Sequence, residues 1–438
     1  MRIRPKKPIS VCSSSQWRYV SIVLISAFVL LTSCKSEQPQ QQVIKFWTIG
    51  AEGDAVIKLL PEFERLHPGV HVDVQQIPLT AALEKLLTGV AGNATPDISQ
   101  LGNTWLPELV MLHALEPLDA RITASNQVKP DDYFSGIWDT NVIDAQVYGV
   151  PWYVDTRLLF YRRDLLAQAG INTPPQNWQE WRASLIAVKA LVGPQRYSIL
   201  LPLNEFEPLL ALAIQQDEPL LRDGDRYGNF RSAGFKRALG FYVEMFQNTW
   251  APTMTNTQIA NVWNEFGRGF FSYYISGPWN IGEFQRRLPP EQQKTWMTAP
   301  LPGPNGPGAG LAGGSSLVIF QNSKHKELAW QLIEFLSDPA IQLRFHTDTG
   351  DLPPRRSTWT DPALNSDEYA HAFRDQLERL KPTPKVPEWE SIAQQIRLVA
   401  ERAVHGDVTI DQAAELLDRH TDEILEKRRW ILERGARP

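Results

Sequence analysis

The sequence predicts an α/β protein whose first part forms a mainly parallel, doubly wound sheet. Strand-like apolar stretches occur at Val43–Gly50, Val70–Ile77 and Asp97–Leu101. Between them, Ala55–His67 and Thr80–Val90 carry apolar residues at helical spacing. Strands and helices that alternate in this rhythm are typical of parallel sheets.

Ligands of such sheets bind beyond the carboxyl ends of the strands. In this chain the rule indicates Glu52, just after the first strand, and Gln76, at the end of the second. It also indicates Asn103, which follows the third strand. These three polar residues are therefore candidate ligand-binding residues.

The remaining pattern continues as a mixture of helices and strands. It predicts strands at Tyr197–Leu201, Gly269–Ile275 and Ser316–Gln321, and helices at Trp105–His113, Trp178–Val192, Asn204–Gln216, Phe235–Asn248, Gln258–Gly267, Trp279–Leu288, Lys324–Leu336, Asp367–Leu380, Glu388–Ala403 and Thr409–Glu433. The Pro/Gly-rich segment Pro300–Gly314 is predicted to be an irregular loop. It contains a literal Gly-x-Gly-x-x-Gly, but a Pro-rich loop precedes it and a strand follows, so a dinucleotide site is not expected.

The amino terminus has the features of an export signal. A basic leader precedes the apolar run Ile22–Leu31, which is too short to span a membrane. Leu31-Thr32-Ser33-Cys34 resembles the cleavage motif of bacterial lipoproteins, which implies that residues 1–33 are removed and that Cys34 is lipidated. The alternative is an ordinary secreted protein. The polar segment 34–42 then forms a flexible tether and the membrane contact is made through lipid.

Composition limits the possible partners. A chain of 438 residues is expected to form two or three folding units. Without the leader's five cations, 39 basic residues face 49 acidic ones, a net charge near −10. This charge argues against nucleic acid or an anionic membrane surface as partner. With Cys12 in the leader and Cys34 lipidated, no disulfide can form.

The stretch Gly149–Leu166 combines features that suit a sugar. It reads as two strands, and between them Trp152, Tyr153 and Asp155 place two aromatic rings and a carboxylate within four positions. A ring face covers the C–H groups of a polyol while a carboxylate accepts hydrogen bonds from its hydroxyls. The alternative is that the rings belong to a core and that the carboxylate of Asp155 caps a turn.

Taken together, four stretches resemble the family 1 extracellular solute-binding proteins of ABC sugar importers, over about Val43 to Arg434. The likeness is closest to trehalose- and maltose-binding members, which carry a similar Tyr-x-Asp. The four stretches are Phe63-Glu64-Arg65-Leu66-His67-Pro68-Gly69-Val70, Tyr148–Leu166, Ile275-Ser276-Gly277-Pro278-Trp279, and Ala312-Gly313-Gly314-Ser315-Ser316 through Phe335-Leu336.

The resemblance implies a periplasmic-binding-protein fold, in which two α/β lobes joined by a hinge close on a ligand. Residues 43–150 and 315–336 would form the N-lobe, and residues 151–314 and 337–438 the C-lobe. The protein would be a lipid-anchored periplasmic or cell-surface monomer. It would deliver a disaccharide or short oligosaccharide to ABC permease subunits with their ATPase.

The resemblance also assigns roles to individual residues. Glu52 and the pair Tyr153 and Asp155 would bind hydroxyls, and Trp279 would stack on a sugar ring. Gly314 would bring its backbone close to the sugar, and Arg355 would donate hydrogen bonds. Relatives of the trehalose and maltose type have a Trp where this chain has Ser315, and some have an acid where it has Gly102. Both changes leave a sugar subsite less filled.

Other functions are less well supported by the sequence. There is no P-loop, no His-Glu-x-x-His motif, no cysteine pair and no Gly-x-Ser-x-Gly elbow, so no metal, cofactor or catalysis is expected. A lipid-anchored glycoside hydrolase would require two carboxyl groups ~5–9 Å apart, for which Glu52 and Asp155, expected on opposite lobes, are candidates. A sugar-sensing lipoprotein would use the same closed form as a transporter.

Overall fold

The computed structural model describes residues 41–435. The predicted signal peptide (1–33), the lipidation site Cys34 and all but the end of the predicted tether lie outside these residues. The strands are β1 (Gln42–Ile49), β2 (Val70–Ile77), β3 (Ile98–Gly102), β4 (Val142–Ile143), β5 (Gln146–Val147), β6 (Val150–Asp155), β7 (Leu158–Arg162), β8 (Tyr197–Leu200), β9 (Leu221–Arg222), β10 (Tyr227–Gly228), β11 (Phe271–Ser276), β12 (Trp296–Ala299), β13 (Gly310–Leu311), β14 (Gly313–Ile319) and β15 (Leu380–Lys381).

The helices of the first half are α1 (Glu52–Leu66), α2 (Leu79–Ala91), α3 (Leu106–Met111), α4 (Asp119–Ala124), α5 (Ser135–Asp139), α6 (Arg163–Gln168), α7 (Trp178–Val192) and α8 (Glu207–Ile214). Those of the second half are α9 (Ala233–Gln247), α10 (Val262–Gly267), α11 (Trp279–Arg287), α12 (Lys326–Leu336), α13 (Pro339–Thr349), α14 (Pro362–Asn365), α15 (His371–Leu377), α16 (Trp389–His405), α17 (Ile410–Ile424) and α18 (Glu426–Gly435). The long predicted helices are present, whereas the helix predicted at Gln258–Gly267 begins only at Val262, after a short 3-10 turn.

The first lobe is built on a five-stranded sheet in the order β2-β1-β3-β14-β6. β1 runs parallel to β2 along its whole length and parallel to β3 over a shorter stretch. β14 is antiparallel to both β3 and β6. The prediction of a mainly parallel sheet for the first part of the chain is therefore right for β1 to β3, and β14, whose direction was not predicted, joins them antiparallel. This strand enters after a long excursion through the second lobe, so no strand–helix crossover dictates its direction.

The second lobe has a four-stranded sheet in the order β12-β7-β11-β8. Only the β8–β11 pair is parallel, and β7 is antiparallel to both of its neighbours. Its core is the larger of the two and is rich in aromatic rings, among them Trp181, Phe160 and Trp296. The carboxyl-terminal helices α16 and α17 pack on α9 and complete this lobe.

The observed strand pairing moves the expected lobe boundaries. β6 is paired with β14 from Val150 to Asp155, so the strand that was expected to open the C-lobe belongs to the sheet of the first lobe. We therefore propose that the chain leaves the first lobe at Thr156–Arg157 and returns at Ala312.

Helix α13 also corrects the expected division, which placed all of 337–438 in the C-lobe. Its residues Ile341 and Phe345 are buried in the core of the first lobe, and Arg344 forms an ion pair with Glu62 on α1. The amphipathic pattern of α13 required a buried face but did not say which lobe would cover it. We propose that the last crossing into the second lobe follows α13.

Within residues 41–435 no helix combines the length and apolar character that a membrane span requires.

Candidate functional site

A cleft between the lobes holds most of the predicted site residues. The first chamber of this cleft has a volume of about 400 Å³, within the usual range for small-molecule sites. Six of the nine predicted ligand-binding residues line it: Glu52, Tyr153, Asp155, Trp279, Gly314 and Ser315. A second chamber of about 380 Å³ adjoins it. Gly102, Trp105, Asp155, Arg157 and Gly314 border both chambers.

A hydrogen-bonded network forms the wall of the first chamber on the side of the first lobe. The Tyr153 hydroxyl donates to Glu52 Oε1 over 3.0 Å. The same hydroxyl accepts from Gln100 Nε2 and Ser315 Oγ, each at 3.0 Å. Gln100 is held in turn, because its Oε1 accepts from the backbone amide of Ile49 at 2.8 Å. The network joins the ends of β1, β3, β6 and β14, so it fixes the position of the Glu52 carboxylate before any ligand arrives.

Burial affects the protonation of this network. It raises the pKa of Glu52, and the Tyr153 hydrogen bond only partly opposes this effect. The pKa of Tyr153 is raised well above its ordinary value by burial and then by the neighbouring Glu52 carboxylate. The phenol therefore keeps its proton at neutral pH. The Tyr153 hydroxyl therefore remains a donor to Glu52. The Tyr153 ring packs near Phe345, with the two ring centroids 6.2 Å apart.

Asp155 and Trp279 are linked by a residue that the sequence analysis did not single out. The Arg157 guanidinium lies over the Trp279 ring, 4.6 Å from its centroid. It also lies 3.6 Å from Asp155 and donates to Glu207 Oε1 over 3.3 Å. Burial raises the pKa of Asp155, and Arg157 opposes the shift. A ring-shaped ligand that stacks on this part of Trp279 must therefore displace Arg157. Nothing in the spacing Asp-x-Arg distinguished this contact from an ordinary surface ion pair.

The segment Asp351–Arg355 contributes a different residue from the one expected. Arg355 was expected to donate to hydroxyls, but it is only 7% exposed and lines neither chamber. Its Nε donates to Asp132 Oδ2 over 2.7 Å and its Nη1 to the Ser337 carbonyl, so it ties its own segment to Asp132 and to the end of α12. Asp351 lines the first chamber instead. The acid that opens the segment Asp-Leu-Pro-Pro-Arg, four positions before Arg355, was the sequence signal that could have identified it.

Two other predicted residues lie apart from the first chamber. Gln76 is exposed and donates to Asp54 Oδ1 over 2.7 Å, because its side chain lies across the start of α1. Asn103 is buried, accepts from Ser316 Oγ and borders only the second chamber. The strand-end rule thus located the correct edge of the sheet but did not distinguish the side chains that face the cleft from those that turn away.

The tryptophans divide between core and cleft. Trp152, for which the sequence left a cleft and a core position open, is 2% exposed and packs on Phe345 in the first lobe, so its ring belongs to the core. Trp330 is buried as well. Trp105 borders both chambers and Trp389 borders the second. Trp359 is buried in the second lobe, whereas Trp263 is partly buried and donates to Asn280.

We expect Asp351→Asn to stabilise the ligand-free protein at neutral pH. The pKa of Asp351 is raised well above its ordinary value by burial and then by the Glu52 and Asp155 carboxylates, so ionisation is disfavoured in the folded state. This penalty is absent below the ordinary pKa of Asp, 3.8, grows as the pH rises from there towards the raised folded-state pKa, and is constant above it. The Tm should rise by roughly 2–4 °C at pH 7, the shift expected for ~1 kcal/mol. The difference in Tm between the variant and the unaltered protein should vanish as the pH falls towards ~4.

Asp348→Asn is the matched control, since it removes a carboxylate of the same helix–loop segment that is paired with Lys58. It should produce no such gain. If both variants behave alike at every pH, the proposed repulsion within the cleft does not exist.

Two lobes and a ligand-sized cleft lined by acids and aromatic rings define a two-lobed binding protein of the periplasmic type. Residues 47–343 match the family described as bacterial extracellular solute-binding proteins. The chain belongs to this family, as its sequence motifs predicted. Members of the family are substrate-binding proteins rather than enzymes, so the glycosidase alternative is set aside. Glu52 and Asp155 also lie on the same lobe, not on opposite lobes as that alternative assumed.

The chain is similar to several known proteins over most of its length. It is 58% identical to the sugar-binding protein MalE from the phytopathogen Xanthomonas citri, with 90% of this chain and 99% of that chain covered and a TM-score of 0.88. It is 27% identical to a putative binding protein of Brucella abortus (strain 2308), over 86% of this chain and 91% of the relative. It is 23% identical to the galactooligosaccharide-binding protein of Bacillus subtilis (strain 168), over 88% of this chain and 90% of that protein.

Proposed function

We propose that this protein is the carbohydrate-binding component of an ABC importer and that it captures a disaccharide or short oligosaccharide in the interlobe cleft. The observation that carries the proposal is the first chamber, where the Trp279 ring shares one space with the carboxylates of Glu52, Asp155 and Asp351. The name of the similar Xanthomonas citri protein, a sugar-binding MalE, supports the same assignment.

The residues have distinct roles in this proposal. The sugar ring takes the place of the Arg157 guanidinium on Trp279, so that the C–H face of a sugar replaces a cation–π contact. Glu52 and Asp155 accept hydrogen bonds from hydroxyls, and Asp351 lies within the same chamber. Charge-assisted hydrogen bonds of this kind are about twice as strong as neutral ones. A ligand that lacks one hydroxyl leaves a carboxylate unpaired, which makes the site selective.

An α-glucoside such as trehalose or maltose is the first candidate ligand. The Tyr153-x-Asp155 pair and the similarity to MalE support it. Ser315 hydrogen-bonds Tyr153 and offers no aromatic face, and Gly102 offers no side chain. The cleft is therefore wider here than in relatives with a Trp and an acid at these positions, which favours ligands that reach beyond one disaccharide.

The closed, sugar-bound form would be presented to permease subunits driven by an ATPase. Sugar would bind the closed form more tightly than the open form, because it bridges the Glu52 side of the first lobe and the Trp279 side of the second. This difference in affinity sets how far the sugar shifts the population towards the closed form. We further propose that the protein works outside the cytoplasm as a monomer, held to the membrane by a lipid on Cys34. A sugar sensor that signals through the same closed form is the second candidate.

We expect a thermal-shift panel with the purified protein to rank the sugars. Trehalose, maltose, sucrose, maltotriose and glucose would each be tested. A ligand at a hundred times its dissociation constant adds ~2.7 kcal/mol of stability, which raises Tm by several degrees. Glucose, which spans only part of the chamber, should give the smallest shift. The absence of a shift with every sugar would refute the carbohydrate proposal, and release of reducing sugar during incubation would contradict a purely binding role.

A further inference from the structure

Arg157 places its side chain over the ring on which a sugar would stack. Its guanidinium lies 4.6 Å from the centroid of the Trp279 ring, and both residues line the first chamber. The Arg157 side chain is only 15% exposed. A cation over an indole ring is attracted by the negative face of the ring, and the attraction is stronger where water is excluded. The protein's own side chain therefore holds a position that a stacked sugar also requires.

Two carboxylates from different lobes keep the guanidinium in this position. Asp155 Oδ1 at the end of β6 lies 3.6 Å from Nη1, and Glu207 Oε1 in the first turn of α8 accepts from Nη2 over 3.3 Å. β6 belongs to the sheet of the first lobe, whereas α8 packs into the core of the second. Arg157 is therefore held from both sides of the cleft while it covers Trp279.

The second chamber offers the guanidinium a place to move to. Arg157 borders this chamber as well as the first, and Glu207 lies on its wall. Glu205, two positions earlier, is also near: burial raises its pKa, and the Arg157 charge opposes this shift. A guanidinium that leaves Trp279 therefore moves towards two acids, one of which it already contacts. Because ion pairing is retained in both positions, the displacement costs chiefly the contact with the ring.

We propose that Arg157 is an internal competitor of the sugar: its guanidinium and the sugar ring occupy the same position on Trp279, so each excludes the other. The inference rests on the proposed function, because it concerns the ligand of the same cleft. Part of the free energy that a sugar gains by stacking replaces the contact between Arg157 and Trp279. The affinity of the unaltered protein is therefore lower than the contacts of the sugar alone would give, and Arg157 sets this difference.

Arg157→Lys tests the competition, because it removes the stacking group and keeps the charge. An ammonium pairs with Asp155 and Glu207 but lacks the planar fork that lies flat on an aromatic ring. Titration calorimetry of the purified full chain with the best sugar of the thermal-shift panel should show binding roughly 3- to 10-fold tighter than in the unaltered protein, as the typical strength of such contacts implies. The Tm without sugar should fall slightly, since a stabilising contact is lost. A substitution that only damages the fold would instead lower both the Tm and the affinity.

Arg182→Lys is the matched control. Arg182 also lies over an aromatic ring, 4.8 Å from the Phe241 centroid, and pairs with Glu244 over 2.7 Å, but it lines neither chamber. This variant should leave the sugar affinity unchanged. Arg157→Gln, which removes the charge, should also bind sugar more tightly, and it provides the measurement if Arg157→Lys does not fold.

The outcomes separate the two proposals. If the folded Arg157 variants bind sugar no more tightly than the unaltered protein, Arg157 does not compete with the sugar, although the proposed function stands. Weaker binding would mean that Arg157 holds the sugar instead of excluding it. Failure of every sugar to bind the unaltered protein would remove the proposed function, and the competition with it.

Discussion

Replacing Asp155 by asparagine or alanine should lower the affinity for the sugar by at least ~100-fold, equivalent to ~2.7 kcal/mol. Asp155 borders both chambers at the end of β6, 3.6 Å from the Arg157 guanidinium that covers Trp279. Its loss removes a charged acceptor of sugar hydroxyls and leaves Glu207 as the ion-pair partner of Arg157 among residues 41–435. Calorimetry with the best sugar of the panel measures the effect.

A second pair with the same spacing provides the control. Arg162 and Asp164 form an ion pair of 2.7 Å, also two positions apart, on the second lobe and outside both chambers. Asp164→Asn makes the same change in charge, so any effect it has on sugar binding reports net charge alone. If Asp155→Asn binds sugar as well as Asp164→Asn does, Asp155 is not a ligand-binding residue.

The substitution Gly314→Ala should destabilise the fold by more than ~3 kcal/mol, since it combines backbone strain with a steric clash. Gly314 has φ +120°, a conformation that residues with a Cβ rarely adopt. A Cβ there would also lie 2.3 Å from the Tyr153 carbonyl oxygen and 2.9 Å from the Asp155 amide nitrogen. Relief of these contacts requires β14 to move away from β6. The wall that holds Tyr153 and Asp155 would move with it, so sugar affinity should fall as well.

Gly170→Ala separates the two causes. Gly170 also has a positive φ, +82°, but no heavy atom lies within 4 Å of its Cβ position. This variant therefore carries the conformational cost alone, ~1–2 kcal/mol, with no effect on sugar binding. Denaturant unfolding of both variants gives the comparison. If both variants lose the same free energy of unfolding, the close packing of β14 on β6 at Gly314 adds nothing to the destabilisation caused by the backbone strain.

The two sides of the cleft differ in how firmly their residues are held. On the first lobe, Glu52 is tied through Tyr153 to Gln100 and Ser315, so its carboxylate has a fixed position. On the second lobe, Trp279 is covered by a guanidinium that must move. We expect ligand to engage the first lobe before Arg157 is displaced and the second lobe closes. Preorganisation of one half of a site reduces the ordering cost of binding.

Local patterns were sufficient for most elements of the fold. The apolar spacing of α1, α2 and α12 predicted the ends of these helices to within three residues. An amphipathic helix can be recognised in a sequence because its apolar residues recur at the helical period. The short 3-10 turn before α10 and the brief strand β13 inside the Pro/Gly segment were not predicted. Such elements are held by contacts from distant parts of the chain: β13, for example, pairs with β15.

The functional residues divide in the same way. The sequence by itself determined that Glu52, Tyr153 and Asp155 follow or end strands at one edge of a sheet, because periodicity and strand-end position are local properties. It did not determine that Trp152 turns into the core, that Arg355 binds Asp132, or that Asp351 and Arg157 face the cleft. Only the tertiary structure decided these contacts. Side chains on neighbouring positions of a strand point to opposite faces, and which face meets the cleft depends on the packing of both lobes.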